Sequence, residues 1–202
     1  MSASTLSDLT FPHATICGHL TGTLIMSSRG YRPVEDLRVG HLVWTEDDGF
    51  QPILWTASKS PQHAPDGTAP SIPVRIPANA MGPGAPLRDM WVASEQRIAL
   101  SHATAALYFQ SYEVLAPAKA LVGYRGIVQC AAPVPVHYHH IACARHQILR
   151  ADGLASESVQ GEDGTGPTAR LALNTHEVRV LMAAAAGGPL DISPQQAIRR
   201  AA

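Results

Sequence analysis

Short apolar runs separated by turn residues recur along most of the chain. Between Thr23 and Trp55 the runs are rich in β-branched and aromatic residues, a pattern typical of strands. The segments between them carry the Gly, Asp and Ser residues that tight turns favour. We therefore predict a series of strands joined by turns in this region. The predicted strands are TGTLIM (residues 21–26), HLVW (41–44) and PILWTA (52–57).

The same pattern continues toward the C-terminus and ends in one helix. Four further segments predict strands: IPVRIPANAM (72–81), DMWVASEQRIAL (89–100), YEVLAPAKALV (112–122, ending in a helical turn) and VPVHYHHIACARHQILRADG (134–153). The polar residues 155–168 predict a loop, and residues 171–188 form the one strong helix candidate. The predicted fold is all-β with a C-terminal helix. We expect a flexible leader over residues 1–16, a β-domain over 17–160, and a loop, short helix and tail over 161–202.

Charge and hydropathy indicate which classes of partner are not expected. The net charge of −1 and the scattered basic residues do not indicate a nucleic-acid partner. No apolar run approaches the roughly 18 residues of a membrane helix, so no membrane partner is expected. The N-terminus has no basic and apolar signal region. We therefore expect a cytoplasmic protein, although a secretion route that ignores the N-terminus remains open.

Cysteine and histidine spacing gives little support for metals or cofactors. Cys17, Cys130 and Cys143 form no Cys-x-x-Cys pair, which argues against a disulfide framework or a cysteine-based zinc site. No glycine-rich nucleotide motif is present, so no cofactor is expected. His137 and His139 would lie on one face of a strand, and His146 could complete a metal site with them. A histidine metal site is therefore kept as a weaker alternative.

Several of these segments resemble one known family. GTLIMSSRGYRPVEDLRVGHLVWTEDDGFQPILW (22–55) is similar to the opening of bacterial Hint domains, the hedgehog/intein family, which begin with Cys, Gly-Thr and a Pro-Val-Glu-Asp-Leu phrase. Residues 72–100, 112–122 and 136–158 resemble later blocks of the same family. The resemblance spans Cys17 to Val159 and implies a flattened β-structure with pseudo-two-fold symmetry.

The resemblance also implies a self-processing reaction. Hint domains act on their own polypeptide: the first cysteine attacks the preceding carbonyl in an N-to-S acyl shift, and the resulting thioester is then resolved. Here this assigns Cys17 as the nucleophile and Ile16–Cys17 as the scissile bond. The resemblance also assigns His140 and His146 to the site. Splicing is not expected, because neither of the two asparagines, Asn79 and Asn174, follows a histidine.

The chain departs from the family pattern at several positions, including one extra residue between Cys17 and Gly-Thr and Cys143 in place of an apolar aromatic residue. Gln96 stands where the family has a histidine, Ala93 where it has a hydroxyl residue, and Ala144 where it has an aspartate. Glutamine cannot exchange a proton near neutral pH, and general acid–base help is worth about 10²–10⁴-fold in rate. His102, six residues beyond Gln96, is the one histidine that could replace it. We therefore expect autoprocessing to be weak or lost, and the alternative function is a non-catalytic β-scaffold or binding module with an unidentified protein partner.

Overall fold

Fifteen strands make up most of the secondary structure in the part of the chain that is described. The computed structural model describes residues 17–60, 72–159 and 166–185. The strands of the first half are β1 (His19–Leu20), β2 (Leu24–Ser27), β3 (Gly30–Pro33), β4 (Leu42–Thr45), β5 (Gly49–Pro52), β6 (Trp55–Lys59), β7 (Val74–Ile76) and β8 (Met90–Val92). Those of the second half are β9 (Arg97–Ser101), β10 (Glu113–Pro117), β11 (Val128–Gln129), β12 (Tyr138–Ala142), β13 (Ile148–Ala151), β14 (Leu154–Glu157) and β15 (Leu171–Ala172).

Strand pairing within these residues divides the strands into two sheets. Six strands pair in the order β11-β7-β8-β1-β12-β6. The other nine follow the order β15-β10-β9-β14-β13-β2-β4-β5, with β3 paired to β2 and a further pairing between β13 and β4. In the six-stranded sheet, β1 lies between β8 and β12 and is antiparallel to both. Cys17 lies two residues before β1, so this arrangement brings it close to two strands that come from distant parts of the sequence.

Both sheets contribute side chains to one main hydrophobic core. Ile25 and Leu149 enter it from the nine-stranded sheet, and Val92 and Ile141 enter it from the six-stranded sheet. Because side chains alternate along a strand, the neighbours of Val92 and Ile141 lie on the opposite face of the six-stranded sheet. That outer face carries a separate small apolar cluster built on Tyr138, Leu20 and Ala93.

Two α-helices and two 3-10 turns complete the described structure. Helix α1 is Ala103–Phe109 and helix α2 is Thr175–Ala184; the 3-10 turns are Val34–Asp36 and Ala118–Leu121.

Helix α2 begins with a capping box. The side chain of Asn174 accepts hydrogen bonds from His176 N and Glu177 N, and the Glu177 carboxylate accepts one from Asn174 N. Val178 and Leu181 bury one side of this helix in the main core. None of the helices described has the length and hydropathy needed to cross a bilayer.

The predicted all-β fold with a C-terminal helix is confirmed, and two local predictions need correction. The helix predicted over residues 171–188 begins only at Thr175, because Leu171–Ala172 pair as β15. The loop predicted over residues 155–168 is wrong at its start, because β14 continues to Glu157. Ser156 and Glu157 are buried there, and their polar atoms are hydrogen-bonded inside the protein. Helix α1 was not predicted. The proposed leader (1–16) and the residues after 185 lie outside the described residues.

Candidate functional site

Cys17 and His140 are in contact, although 123 residues separate them in the sequence. The Sγ atom of Cys17 lies 3.6 Å from Nδ1 of His140. His140 is held in β12 by its pairing with Ala57 of β6, and β1 pairs with the other edge of β12 through His19 and His139. An imidazole nitrogen is a far better acceptor than sulfur, so we assign the thiol as donor and Nδ1 as acceptor. The arrangement pairs a nucleophile with a base.

Gly18 allows the chain to approach β12 closely at this point. Its φ of +118° is rarely adopted by residues with a side chain. A methyl group placed on Gly18 would lie 3.0 Å from the carbonyl oxygen of His139, 3.2 Å from Cβ of Tyr138 and 3.4 Å from Cε1 of His140. The backbone of Gly18 therefore lies close to Cβ of Tyr138 and to the ring of His140. This fit fixes where the preceding residue, Cys17, meets the imidazole.

Burial keeps both partners of the Cys17–His140 pair uncharged. Burial raises the pKa of the Cys17 thiol to about 11, with a further contribution from the negative charge of Glu157. Burial also lowers the pKa of His140 to about 4, and the positive charge of Lys59 acts in the same direction. At neutral pH the pair is therefore a thiol and a neutral imidazole, and the imidazole is free to accept a proton as the sulfur attacks.

Gln96 is hydrogen-bonded to the backbone of Gly18, the residue after Cys17. Its Oε1 accepts a hydrogen bond of 2.7 Å from Gly18 N, and its Nε2 donates to Ser156 Oγ at 3.0 Å and to the carbonyl oxygen of Glu157 at 2.9 Å. Only 2% of Gln96 is exposed. The residue that replaces the family histidine is thus within hydrogen-bonding distance of the residue after Cys17. It holds this backbone in place but cannot exchange a proton there.

His19 and Ser156 extend this hydrogen-bonded network into the interior. His19 Nε2 lies 3.0 Å from Ser156 Oγ, the same hydroxyl that accepts from Gln96. Burial, with smaller effects from His140 and His139, lowers the pKa of His19 to about 3. Neutral His19 therefore helps to hold the Ser156 hydroxyl, which in turn holds the Gln96 side chain. Nothing in the sequence singled out His19, apart from its position two residues after Cys17.

His146 has a different set of partners from those expected for a residue at the thiol. Its Nε2 lies 3.2 Å from Oε2 of Glu157, and its Nδ1 accepts a hydrogen bond of 3.0 Å from Ala169 N. Because Nδ1 accepts, the ring proton is on Nε2 and is donated to Glu157. His146 thus connects to Gln96 through Glu157, whereas His140 contacts Cys17 directly. The position of the missing aspartate, Ala144, is exposed.

The other histidines considered from the sequence have separate local roles. His102 Nδ1 accepts a hydrogen bond from Thr104 N and caps helix α1. His137 Nδ1 lies 2.9 Å from Ser60 Oγ, and His139 Nε2 lies 2.9 Å from Thr21 Oγ1. Across residues 17–60, 72–159 and 166–185, no group of three or more His, Cys, Asp or Glu side chains is arranged to hold a metal ion.

A comparison with protein families identifies the fold to which this site belongs. The family model of the Hint domain matches residues 17–163, more than half of the chain, and the match begins at Cys17. The chain belongs to the Hint domain family. No curated protein matches this Hint domain.

Several solved inteins and intein-like domains are similar to this Hint domain at low identity. A bacterial intein-like domain from Clostridium thermocellum is 12% identical, with a TM-score of 0.45 over 70% of this chain and 98% of its own. A splice-inactive variant of the AceL NrdHF class 3 split intein is 11% identical, with a TM-score of 0.44 over 69% and 95%. The gp41-1 intein is 12% identical, with a TM-score of 0.40 over 69% and 97%. The family assignment does not depend on these three likenesses.

Because Gly18 lies so close to β12, Gly18→Ala should lower the free energy of unfolding substantially. We expect a loss of about 3 kcal/mol in the free energy of unfolding, because a strained φ costs about 1–3 kcal/mol and overpacking adds about the same. Gly22→Ala is the matched control, since Gly22 also has a positive φ of +87° but open space around it. Urea denaturation of both variants measures the difference. Equal losses of stability in Gly18→Ala and Gly22→Ala would show that the close approach of Gly18 to β12 does not add to the cost of the substitution.

His19 and His140, two of the buried histidines, predict a loss of stability in mild acid. The folded pKa values of His19 and His140 lie below the unfolded value of about 6.5, so below pH 6.5 the unfolded chain binds protons that the folded chain does not. The free energy of unfolding should therefore fall by about 2 kcal/mol per histidine between pH 7.5 and pH 5. Urea denaturation across this range measures the slope.

Two variants separate the source of this pH dependence. His19→Gln should remove about half of the loss, because it deletes one of the two imidazoles whose lowered pKa values produce it. His176→Gln should leave the loss unchanged, because His176 is exposed. A wild-type stability that stays flat from pH 7.5 to pH 5 would contradict the neutral, buried state of both rings.

Proposed function

We propose that this Hint domain processes its own polypeptide at the Ile16–Cys17 bond, with Cys17 as nucleophile and His140 as its base. The observation that supports the proposal is the 3.6 Å contact between Cys17 Sγ and His140 Nδ1 at the residue where the family match begins. Ile16 lies outside the described residues. The proposed substrate is therefore the backbone immediately preceding the contact.

The first step exchanges an amide for a thioester. The thiol proton passes to Nδ1 of His140 as the sulfur attacks the Ile16 carbonyl carbon. A carbon–sulfur bond forms, the carbon–nitrogen bond to Cys17 breaks, and a proton is returned to the leaving nitrogen, which becomes an amine. The amide resists this exchange because resonance stabilises it, so proton transfer within the pair is needed to make sulfur a sufficient nucleophile.

The second step releases the leader. Water adds to the thioester carbonyl, the carbon–sulfur bond breaks, and the products are residues 1–16 with a C-terminal carboxylate and a domain that begins at Cys17. An added thiol would take the place of water and release the leader as a new thioester. We propose that Gln96 acts here as a positioning residue, because it holds Gly18 N but has no proton to exchange.

The intact mass of the purified chain over time tests this function. We expect a species that begins at Cys17 to accumulate, and to accumulate faster with dithiothreitol. Cys17→Ala should abolish cleavage, and His140→Ala should slow it by at least about 10²-fold, the lower end of the effect of a general base. Cys130→Ala and His137→Ala are the matched controls and should cleave like the wild type, because neither residue contacts the pair.

Two outcomes would contradict the proposal. A full-length mass that does not change on long incubation with thiol would favour the alternative function, a non-catalytic scaffold. That is the function expected if the absence of the motif histidine has abolished cleavage. Cleavage that persists in Cys17→Ala would place the nucleophile elsewhere.

The network around Gln96 predicts that restoring a histidine accelerates cleavage. Gln96→His would place a titratable group at the residue after Cys17, and we expect the rate to rise by about 10- to 100-fold, part of the 10²–10⁴-fold that general acid–base catalysis supplies. Gln96→Met, of similar length but unable to exchange a proton, is the control and should give no increase. A rate in Gln96→His that stays at or below the wild-type rate would show that the glutamine does not limit the reaction.

A further inference from the structure

Tyr138 and Trp91 lie in one row across the outer face of the six-stranded sheet. Leu20 of β1 is opposite Tyr138 of β12, and the register of β1 with β8 through His19 and Val92 places Trp91 opposite Leu20 on its other side. The three side chains pack in the small apolar cluster of this face, together with Ala93. The row therefore crosses the sheet at β1, the strand that follows Cys17.

Both aromatic residues of this row carry a buried hydrogen-bond donor. The hydroxyl of Tyr138 and the indole Nε1 of Trp91 are buried and have no hydrogen-bond partner among the described residues. Tyr138 as a whole is completely buried. Buried polar groups in folded proteins nearly always have partners, so each exception calls for an explanation such as a catalytic role or a bound molecule. Two such donors in one cluster therefore indicate a ligand with acceptor atoms.

The row lies directly beside the proposed nucleophile. Tyr138 and His140 are two residues apart on β12, so their side chains lie on the same face of the sheet. The backbone of Gly18 lies close to both, since a methyl group on Gly18 would be 3.2 Å from Cβ of Tyr138 and 3.4 Å from Cε1 of His140. Gly18, the residue after the proposed nucleophile, therefore lies beside both the ring of the base and the start of the Tyr138 side chain.

We propose that Tyr138 and Trp91 form the acyl subsite of the self-processing reaction, in which they donate hydrogen bonds to carbonyl oxygens of the segment that precedes Cys17. Tyr138, on the same face as His140, donates to the carbonyl oxygen that becomes negative when sulfur attacks. This inference rests on the proposed function. A peptide or thioester carbonyl fits the site because it is an acceptor only, and both available groups are donors.

The electrostatic state of Tyr138 suits this role. Burial raises its pKa to about 12, so the phenol keeps its proton throughout the pH range in which thiol chemistry is studied. A fixed donor in a water-poor site stabilises a developing oxyanion strongly, because it does not have to reorganise when the charge appears. A charged phenolate would instead repel the oxyanion.

Tyr138→Phe tests the inference, because it removes the hydroxyl and leaves the ring in place. Removing a group that has no partner breaks no hydrogen bond, so we expect an unchanged or raised midpoint of thermal unfolding. We expect cleavage at Ile16–Cys17, followed by intact mass, to slow by at least 10-fold, the scale on which oxyanion donors act. Trp91→Phe should also slow cleavage, by a smaller factor.

Tyr124→Phe is the matched control. The hydroxyl of Tyr124 is likewise buried without a partner in the described part of the chain, but Tyr124 packs against the main core rather than in the cluster around Tyr138. Tyr124→Phe should cleave at the wild-type rate.

Three results would overturn the inference, and they are distinguishable. Wild-type cleavage in Tyr138→Phe would refute the subsite while leaving the proposed function intact. Slower cleavage accompanied by a lower midpoint of thermal unfolding in Tyr138→Phe would assign the hydroxyl to packing. A wild-type chain that does not cleave at all would refute the proposed function, and the subsite with it.

Discussion

The site depends on the insertion of β1 between β8 and β12. This strand has two residues, yet it is paired on both edges with strands that lie more than 70 and 115 residues further along the sequence. Gly18, at its start, lies too close to β12 for any side chain to fit without displacement. The pairing therefore fixes Cys17 relative to His140 with little freedom, although neither residue is near the other in sequence. Proximity of this kind is what an intramolecular acyl transfer requires.

Burial then determines the chemistry available to the pair. Nearby positive charge favours a reactive thiolate, but at Cys17 burial and the negative charge of Glu157 outweigh Arg97 and Lys59 and raise the pKa to about 11. His140 is neutral as well, with a pKa of about 4. The thiol can therefore act only by giving its proton to the imidazole during attack. The proposed reaction therefore needs a carbonyl held beside the pair, and its proposed substrate, the Ile16 carbonyl, is covalently attached to Cys17.

Much of the fold could be predicted from the sequence, because alternation and turn residues are local signals. Strand β14 was missed since half of its buried residues are polar. The burial of these residues depends on partners elsewhere in the chain, such as Gln96 for Ser156 and Arg97 for Glu157. Helix α1 has seven residues and exposes Leu107 and Tyr108, so its sequence has no clear amphipathic pattern.

The candidate site was predictable only in part. Cys17, His140 and the exceptional Gln96 follow from the family resemblance, which aligns motifs but gives no distances. The connection of Gln96 to Gly18 and the partners of His146 depend on strand pairing across the whole chain, which no local pattern encodes. The resemblance placed His140 and His146 together in the site, whereas the structure has one imidazole at the thiol and the other at Glu157.

The most direct test of this account is the titration of the His140 ring by NMR, through the pH-dependent chemical shifts of its nitrogens. The account predicts that the ring stays neutral with its proton on Nε2 down to a pKa of about 4, and that Cys17→Ala changes the shift of Nδ1. A ring that titrates near 6.5, with nitrogen shifts that do not respond to Cys17→Ala, would contradict the buried thiol–imidazole pair on which the rest depends.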